Sequence, residues 1–248
     1  MLISIIVPVL ADTAAAERLL AQIPPDPRLE LIVVDGGDDR HLDDLSRRRD
    51  DVRVLRSRPG RAAQMNEGAK AARGGWLLFL HADSTLPAQW LDVFERVTSE
   101  MRPGGGWFQF ALDHPSWRAR AIELGVRWRI RLFRLPYGDQ GLFATRAVFG
   151  ALGGYRDMPL MEDVDFVRRL SARERVIELP LALQTSARRW ERDGWFRRSL
   201  RNALLVILYF LGASPERLAR SYRPGKSQVP NSKSQTPSRS PSRTHEPK

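Results

Sequence analysis

The stretch LLFLHADSTLP, residues 77–87, passes without a break from an apolar run into a histidine and a carboxylate. Residues 76–80 predict a strand that is buried on both faces. His81 and Asp83 follow this strand two positions apart, so we expect their side chains to point the same way. The pattern is compatible with a loop capped by Asp83 and with a ligand site.

The chain around this stretch alternates predicted strands and helices. Strands are predicted at residues 3–9, 29–35, 52–55, 76–80, 107–112, 141–145 and 176–179. Helices are predicted at residues 14–22, 39–49, 61–73, 117–135, 162–173 and 195–211. In the first half, strands joined by helices of this length indicate βαβ units. The sequence therefore predicts an α/β fold with a mostly parallel central sheet flanked by helices.

The composition narrows the possible functions. The chain has 248 residues, no cysteine and a net charge of +11. The lack of cysteine excludes disulfides, thiolate metal sites and a cysteine nucleophile, and it fits a reducing cytoplasm. The basic excess indicates an anionic partner, which can be nucleic acid, a membrane surface or a phosphorylated substrate. Residues 223–248 are rich in Pro, Ser and Lys, so we predict a disordered basic tail there.

The predicted sheet collects polar residues at one edge. Open parallel sheets bind ligands outside the carboxyl ends of their strands. The first strand ends at Pro8 and Val9, the second at Asp35, and the fourth just before His81 and Asp83. We expect these ends to converge. Asp35 is compatible with a turn or helix cap, and also with a carboxylate that binds a base or a ribose.

The segment SRPGRAAQMNEG, residues 57–68, predicts a phosphate site. A Pro-Gly turn precedes Arg61, which opens a helix that also contains Asn66. Free N–H groups, the positive helix end and a guanidinium together favour a phosphate. A surface helix with a solvated Arg61 is the alternative. The chain contains neither a P-loop nor a GxGxxG motif.

Two further motifs contain carboxylates that suit a site. A carboxylate beside an imidazole, as in Asp83 and His81, suits Mg²⁺ or Mn²⁺. In PLMEDVDF, residues 159–166, the acids Glu162, Asp163 and Asp165 stand at a predicted helix start. They can simply complement the helix dipole, or their mutual repulsion can raise one pKa toward the range of a general base.

Taken in order, these motifs resemble those of family-two glycosyltransferases with the GT-A fold over roughly residues 1–190. The motifs HAD, YGDQGLF and SARRW, at residues 81–83, 137–143 and 186–190, are similar to those of the bacterial radical-SAM/selenodomain-associated subgroup. Residues 191–222 would then form C-terminal apolar and basic helices that pack on this domain or lie at a membrane surface.

The resemblance implies a metal-dependent, inverting transfer of a hexose-like sugar from a UDP- or GDP-sugar to an acceptor hydroxyl. It implies that Asp35 holds the nucleobase and that Asp83 binds Mn²⁺ or Mg²⁺ on the diphosphate. Asp163 of the Glu162-Asp163 pair would be the base. The remaining implied contacts to the donor are Pro8, Val9, Arg61 and Asn66, and His81 would be a second metal ligand. The implied contacts to the diphosphate or the acceptor are Asp139, Gln140, Arg189 and Trp190.

Two other functions compete with this one. A sugar nucleotidyltransferase also places a metal and a nucleotide on an α/β sheet, but its Gly-rich loop would follow the first strand, where this chain has PVLADT. A non-catalytic basic protein that binds membrane or nucleic acid would account for the charge but leaves the acidic motifs without a role. No specific nucleic-acid motif is present, so we expect no specific nucleic-acid partner.

The predicted helix at residues 117–135 carries an apolar stripe at 117, 121, 124, 128, 132 and 135 among many arginines. Such a helix either faces the core with a solvated basic side or lies on anionic lipid. The helix at residues 195–211 is basic at its start and apolar through its end. We therefore expect a cytoplasmic protein that associates peripherally with the inner face of the cell membrane and uses a lipid-linked or membrane-proximal acceptor.

Overall fold

The computed structural model describes residues 1–222, so the predicted tail at residues 223–248 lies outside the described residues. The strands are β1 Ile3–Val9, β2 Leu29–Asp35, β3 Val52–Arg56, β4 Trp76–Phe79, β5 Ser84–Thr85, β6 Gly105–Leu112, β7 Leu142–Thr145 and β8 Val176–Thr185. The helices are α1 Thr13–Ala21, α2 Asp43–Arg48, α3 Arg61–Ala71, α4 Trp90–Met101, α5 Trp117–Phe133, α6 Arg146–Ala151, α7 Glu162–Arg173, α8 Arg188–Asp193, α9 Trp195–Phe210 and α10 Pro215–Ser221. Short 3₁₀ turns cover Arg40–Leu42 and Gly138–Gln140.

One sheet with the strand order β3-β2-β1-β4-β7-β6-β8-β5 organises the chain. Strands β1 to β4 are parallel, β7 runs antiparallel to both of its neighbours, and β8 is parallel to β6. The short β5 pairs antiparallel with β8. The predicted α/β class and mostly parallel sheet are confirmed.

The alternation of side chains along β1 builds a core on each face of the sheet. Ile5 and Val7 pack with the helices α1 and α4, whereas Ile6 packs with α3, α6 and α7. Helix α3 lies so close to β1 that a Cβ on Gly68 would sit 2.4 Å from Ile6 Cγ2. These two apolar layers fix the strand ends, and with them the ligand edge of the sheet.

Strand β8 is longer than the predicted strand at residues 176–179. Pro180 lies within it, and proline cannot donate to a strand ladder. The register with β6 shifts between Phe108 and Gln109, so that Leu179 and Ala182 pair with consecutive residues of β6. This bulge leaves Pro180 outside the ladder and lets the strand continue to Thr185.

Most of the predicted apolar stripe of helix α5 does not face the core, although Leu135 at its end is buried. Trp117, Leu124, Trp128 and Leu132 are 53–67% exposed. The buried side of the helix instead presents Ala119, Ile122, Glu123 and Ile130. The interpretation of the stripe as a core-facing surface is therefore wrong, and this surface of α5 is available for another contact.

The C-terminal helices α9 and α10 pack through one face only. Leu205, Val206 and Leu218 join Leu160 and Val164 in an apolar cluster beside α7. The other faces of α9 remain exposed, and its exposed large apolar residues are Phe196, Leu200, Leu204, Ile207, Leu208 and Phe210. Of the helices in residues 1–222, none combines the length and apolarity needed to cross a bilayer.

Candidate active site

A pocket of about 210 Å³ lies at the carboxyl ends of β1 and β4 and the start of α3. The residues that line it include Pro8, Val9, Asp12, Gly60, Arg61, Gln64, His81, Asp83 and Arg189. Six of these were predicted from the sequence as contacts to donor, metal or diphosphate. The structure brings these six together, as expected for the carboxyl-end edge of a parallel sheet.

Arg61 is held in place by a buried carboxylate. Gly60 has φ +130°, a conformation that L side chains rarely adopt, and no side chain caps the helix that starts at Arg61. Arg61 Nε lies 2.8 Å from Glu162 Oε1, and the side chain of Glu162 is only 3% exposed. Burial raises the pKa of Glu162, whereas the charge of Arg61 acts against that rise. Glu162, predicted as catalytic, thus positions Arg61, whose side chain remains 38% exposed.

Arg189 meets Asp83 because β5 pairs with the end of β8. Ser84 pairs with Thr185, and the next amide, Ser186 N, donates to Asp83 O at 3.3 Å. The chain then enters α8, and Arg189 Nη2 comes within 3.5 Å of Asp83 Oδ2. The side chain of Asp83 is 10% exposed and that of Arg189 is 48% exposed. A carboxylate and a guanidinium therefore face the same pocket.

The environment of His81 keeps its imidazole neutral. Enclosure and then the positive charge of Arg61 lower the pKa of His81 to about 4. Near neutral pH a ring nitrogen is therefore free to act as a metal ligand or a hydrogen-bond acceptor. Together with Asp83 it forms the pair that could share a divalent cation. Within residues 1–222 no group of three or more acidic or histidine side chains has metal-ligand geometry.

Asp163 lies beside this pocket, in a smaller cavity of about 90 Å³ that also includes Arg61, His81 and Arg189. Its Oδ2 accepts a hydrogen bond from Gly138 N at 2.6 Å. A Cβ on Gly138 would lie 3.2 Å from both Asp163 Oδ2 and His81 Nε2. Three motifs that are far apart in sequence, HAD, GDQ and MEDVD, therefore converge on one point.

Asp139 also lines this small cavity. Its backbone carbonyl accepts a hydrogen bond from Thr185 Oγ1 at 3.0 Å, but the buried Oδ1 of its side chain has no partner among the described residues. Burial raises the pKa of Asp139 to about 6. One oxygen of this carboxyl group is therefore buried at the cavity without a hydrogen-bond partner among the described residues.

Three predicted contact residues take part in the scaffold instead of lining these cavities. Asp35 is fully buried, and its carboxylate accepts from Gly37 N at 2.8 Å and from Arg56 Nη1 at 2.5 Å. Asn66 exchanges two hydrogen bonds with the backbone of Tyr155, at 2.8 and 2.9 Å.

Gln140 is the third of them. It is fully buried, donates to Phe108 O at 3.1 Å and accepts from Tyr137 N at 3.3 Å. This side chain shapes the turn that places Asp139 and Gly138. Within the GDQ motif, Asp139 therefore faces the cavity, whereas Gln140 supports the turn that places Asp139.

Sequence reasoning missed Gln64. This buried side chain donates to Val9 O at 2.7 Å and to Val34 O at 2.8 Å, so it ties the ends of β1 and β2 together beneath the pocket. Its signal was available, because Gln64 follows Arg61 by three positions and therefore shares its helix face. Trp190, which was predicted, borders the small cavity and donates from Nε1 to Ser199 Oγ at 3.1 Å.

Comparison with known proteins adds a family and a fold. The family model described as glycosyl transferase family 2 matches residues 4–146, more than half of the chain. No curated protein sequence gives a significant match.

The similar solved structures include three of S. aureus TarS. The complex with UDP-GlcNAc has a TM-score of 0.58 at 16% identity and covers 75% of this chain and 58% of that chain. The complex with UDP has a TM-score of 0.59 at 16% identity and covers 75% of this chain and 60% of that chain. A further TarS structure has a TM-score of 0.60 at 16% identity and covers 88% of this chain and 41% of that chain. This chain thus spans less than two thirds of each of these relatives, and the likeness confirms the predicted GT-A fold.

Proposed function

The chain belongs to glycosyl transferase family 2, and on that premise we propose that it moves a hexosyl group from a nucleotide-diphosphate sugar to an acceptor hydroxyl. The observation that carries this proposal is the convergence of Arg61, Arg189 and Asp83 in one pocket beside Asp163. Two guanidinium groups suit a diphosphate, and a neighbouring carboxylate suits proton removal from an attacking hydroxyl.

A uridine nucleotide is the proposed donor. TarS, which shares the fold, was crystallised with UDP-GlcNAc and with UDP, and this supports the choice. Pro8 and Val9 line the pocket at the end of β1, where the base and ribose would lie. Asp35 would act indirectly, without touching the donor. Its carboxylate accepts from Gly37 N and so holds the Gly36-Gly37 turn at the end of β2.

The proposed reaction is a direct displacement. Asp163 removes the proton of the acceptor hydroxyl, and the resulting oxygen attacks the anomeric carbon opposite the diphosphate. The new C–O bond forms as the bond between that carbon and the phosphate oxygen breaks, so the anomeric configuration inverts. Arg61 and Arg189 stabilise the negative charge of the departing nucleoside diphosphate.

The residues present fit a divalent cation whose remaining ligands come from the substrate. His81 is neutral near pH 7 and Asp83 lines the same pocket, so imidazole and carboxylate ligands are both available. Mn²⁺ or Mg²⁺ bound there would add positive charge beside the diphosphate. Stabilisation of the folded chain by a UDP-sugar, measured with and without Mn²⁺, tests the donor and the metal together.

We also propose that the protein is cytoplasmic and binds peripherally to the inner face of the cell membrane. Support comes from the exposed apolar residues of α5 and α9, which lie on helices that also expose basic residues such as Arg118, Arg127 and Arg197. Apolar and basic groups on one surface suit anionic lipid.

We expect the protein to float with phosphatidylglycerol vesicles at low salt and to float less at high salt, since salt screens the attraction. Each basic residue near an anionic surface contributes about 1 kcal/mol, so the double variant Arg118→Glu/Arg127→Glu should stay in the bottom fraction. The matched double variant Arg18→Glu/Arg47→Glu, in the N-terminal half, should float like the wild type. A wild-type protein that stays at the bottom at low salt would refute the membrane proposal.

A further inference from the structure

A large cleft opens beside the candidate active site, between α5, α7 and α9. Its volume is about 1180 Å³, above the usual range of small-molecule pockets, which is about 300–1,000 Å³. Its apolar lining includes Ile122, Trp128, Phe133, Val206, Ile207 and Phe210. The described structure leaves this cleft without a protein element to fill it. Its walls on α5 and α9 are mainly apolar, whereas α7 contributes Asp165, Arg168, Arg169 and Ser171.

The cleft adjoins the small cavity that contains Asp163. The two spaces share the lining residues Tyr137, Asp139, Trp190 and Asn202. The nucleotide pocket adjoins the same small cavity from the other side, through Arg61, His81 and Arg189. The cleft therefore approaches the proposed reaction centre from the side opposite the donor.

The inner end of the cleft is polar, whereas its walls on α5 and α9 are mainly apolar. Among the described residues, the buried atoms Arg129 Nε, Asp139 Oδ1 and Asn202 Oδ1 have no hydrogen-bond partner. Buried polar atoms are normally paired, so these three indicate that a polar group binds there. The Arg129 guanidinium, stacked 3.4 Å from the centre of the Tyr137 ring, forms part of the same end.

The exposed apolar surfaces of α5 and α9 form the mouth of the cleft. Trp128, Leu132 and Phe133 of α5 are 55–71% exposed, and Ile207 and Phe210 of α9 are 55% and 48% exposed. The occupant must thus be apolar along the cleft and polar at the inner end, and it must enter from an apolar surface. An amphiphilic lipid meets all three requirements.

We propose that this cleft binds the hydrocarbon chain of a lipid acceptor and presents the hydroxyl head of that lipid to Asp163. The assignment of the head rests on the proposed glycosyl transfer; the binding of the chain does not. Asp139 and Asn202 would bind the polar head, and α5 and α9 would enclose the chain. The acceptor is thereby assigned to the class of long-chain hydroxylated lipids.

Gly125, in the middle of α5, provides a direct test. It lines the cleft, and a Cβ there would meet nothing within 4 Å. The variant Gly125→Phe would place a ring in the cleft, and replacing a mid-helix glycine does not weaken the helix. Gly150 in α6 also has open space around its Cβ position but lies outside the cleft, so Gly150→Phe is the matched control.

The probe is cis-parinaric acid, an 18-carbon fluorescent fatty acid, which is then displaced by n-alkanols of increasing length. We expect saturable binding to the wild type and to Gly150→Phe. Each added methylene should increase the affinity of the displacing alkanol about fourfold. Gly125→Phe should bind parinarate at least tenfold more weakly, since the ring removes room for several methylenes. Ala203→Phe, on the opposite wall, repeats the test if Gly125→Phe does not fold.

Calorimetric titration of UDP into the same proteins separates this inference from the proposed function. UDP should bind all of them equally, because the substitutions lie outside the nucleotide pocket. Parinarate binding without UDP binding would retain the lipid cleft and refute the proposed donor. Absence of saturable parinarate binding, or equal binding by Gly125→Phe, would overturn the lipid assignment. The lipid assignment would also be overturned if parinarate does not bind and the wild type forms a dimer that Gly125→Phe dissociates.

Discussion

Replacing Asp163 by asparagine should reduce sugar transfer by about 10²–10⁴-fold, the usual contribution of a general base. The amide keeps the shape of the carboxylate, and its oxygen can accept from Gly138 N, which lies 2.6 Å from Asp163 Oδ2. The bond that Asp163 Oδ1 accepts from Val164 N at 2.8 Å is then lost, because the amide has only one acceptor oxygen. The amide cannot take up a proton from the acceptor. We therefore expect kcat to decrease while the fold and the affinity for the donor stay unchanged.

The measurement is the release of nucleoside diphosphate under saturating donor, together with calorimetric titration of the donor. Asp157→Asn is the matched control, because that side chain lies on the segment before the same helix, is 70% exposed and pairs with Arg58. This control should transfer like the wild type. Normal turnover by Asp163→Asn would show that another group is the base, and Asp139 would be the next candidate.

The same substitution two residues later should have a different effect. Asp165 is 5% exposed, and its carboxylate accepts from Arg169 Nε at 2.7 Å and from Arg156 Nη1 at 3.0 Å. Arg169 also donates hydrogen bonds to the carbonyl oxygens of Leu152 and Gly154, so this ion pair anchors the loop before α7. Asp165→Asn removes the charge that compensates a mostly buried guanidinium.

Breaking a buried pair by neutralising one partner costs about 3–5 kcal/mol, and we expect the lower end because the amide keeps one acceptor oxygen. In a chain of this size about 3 kcal/mol lowers Tm by roughly 6–12 °C. Thermal unfolding of Asp163→Asn and Asp165→Asn side by side measures this difference. Equal melting temperatures would contradict the assignment of a catalytic and a structural acid within one motif.

The first half of the fold could be predicted because its strands are buried on both faces. Ile3–Val9 and Leu29–Asp35 were predicted with the bounds found in the structure, since continuous apolar runs between turn residues have few alternatives. The rule that ligands bind at the carboxyl ends of such strands then selected Pro8, Val9, His81 and Asp83, all of which line the pocket of about 210 Å³ at that edge.

Two of the elements that were missed, α4 and the second part of β8, lack the usual local signals. Helix α4 starts after Gln89, which has φ +60° and makes no side-chain cap hydrogen bond, so no capping residue marks its start. The second part of β8 follows Pro180, which normally ends a strand, and only pairing with a bulged β6 permits it. Tertiary contacts determine both elements.

The scaffold roles of Asp35, Asn66 and Gln140 were equally hidden from the sequence. Their hydrogen-bond partners Arg56, Tyr155 and Phe108 stand 21, 89 and 32 positions away in the chain. A motif shows that a polar residue lies near a site, but not whether its side chain faces the ligand or the scaffold. That distinction requires the packing of distant segments.

A thermal-shift panel of UDP-, GDP- and CDP-sugars, with and without Mn²⁺, tests whether a nucleotide sugar binds at the carboxyl ends of β1 and β4. At a hundredfold excess over Kd, a ligand stabilises the fold by about 2.7 kcal/mol, which raises Tm by roughly 5–10 °C. We predict this shift for the UDP-sugar with Mn²⁺, and a much smaller one in Asp83→Ala. A wild-type protein that no nucleotide sugar stabilises, with or without metal, would contradict the account.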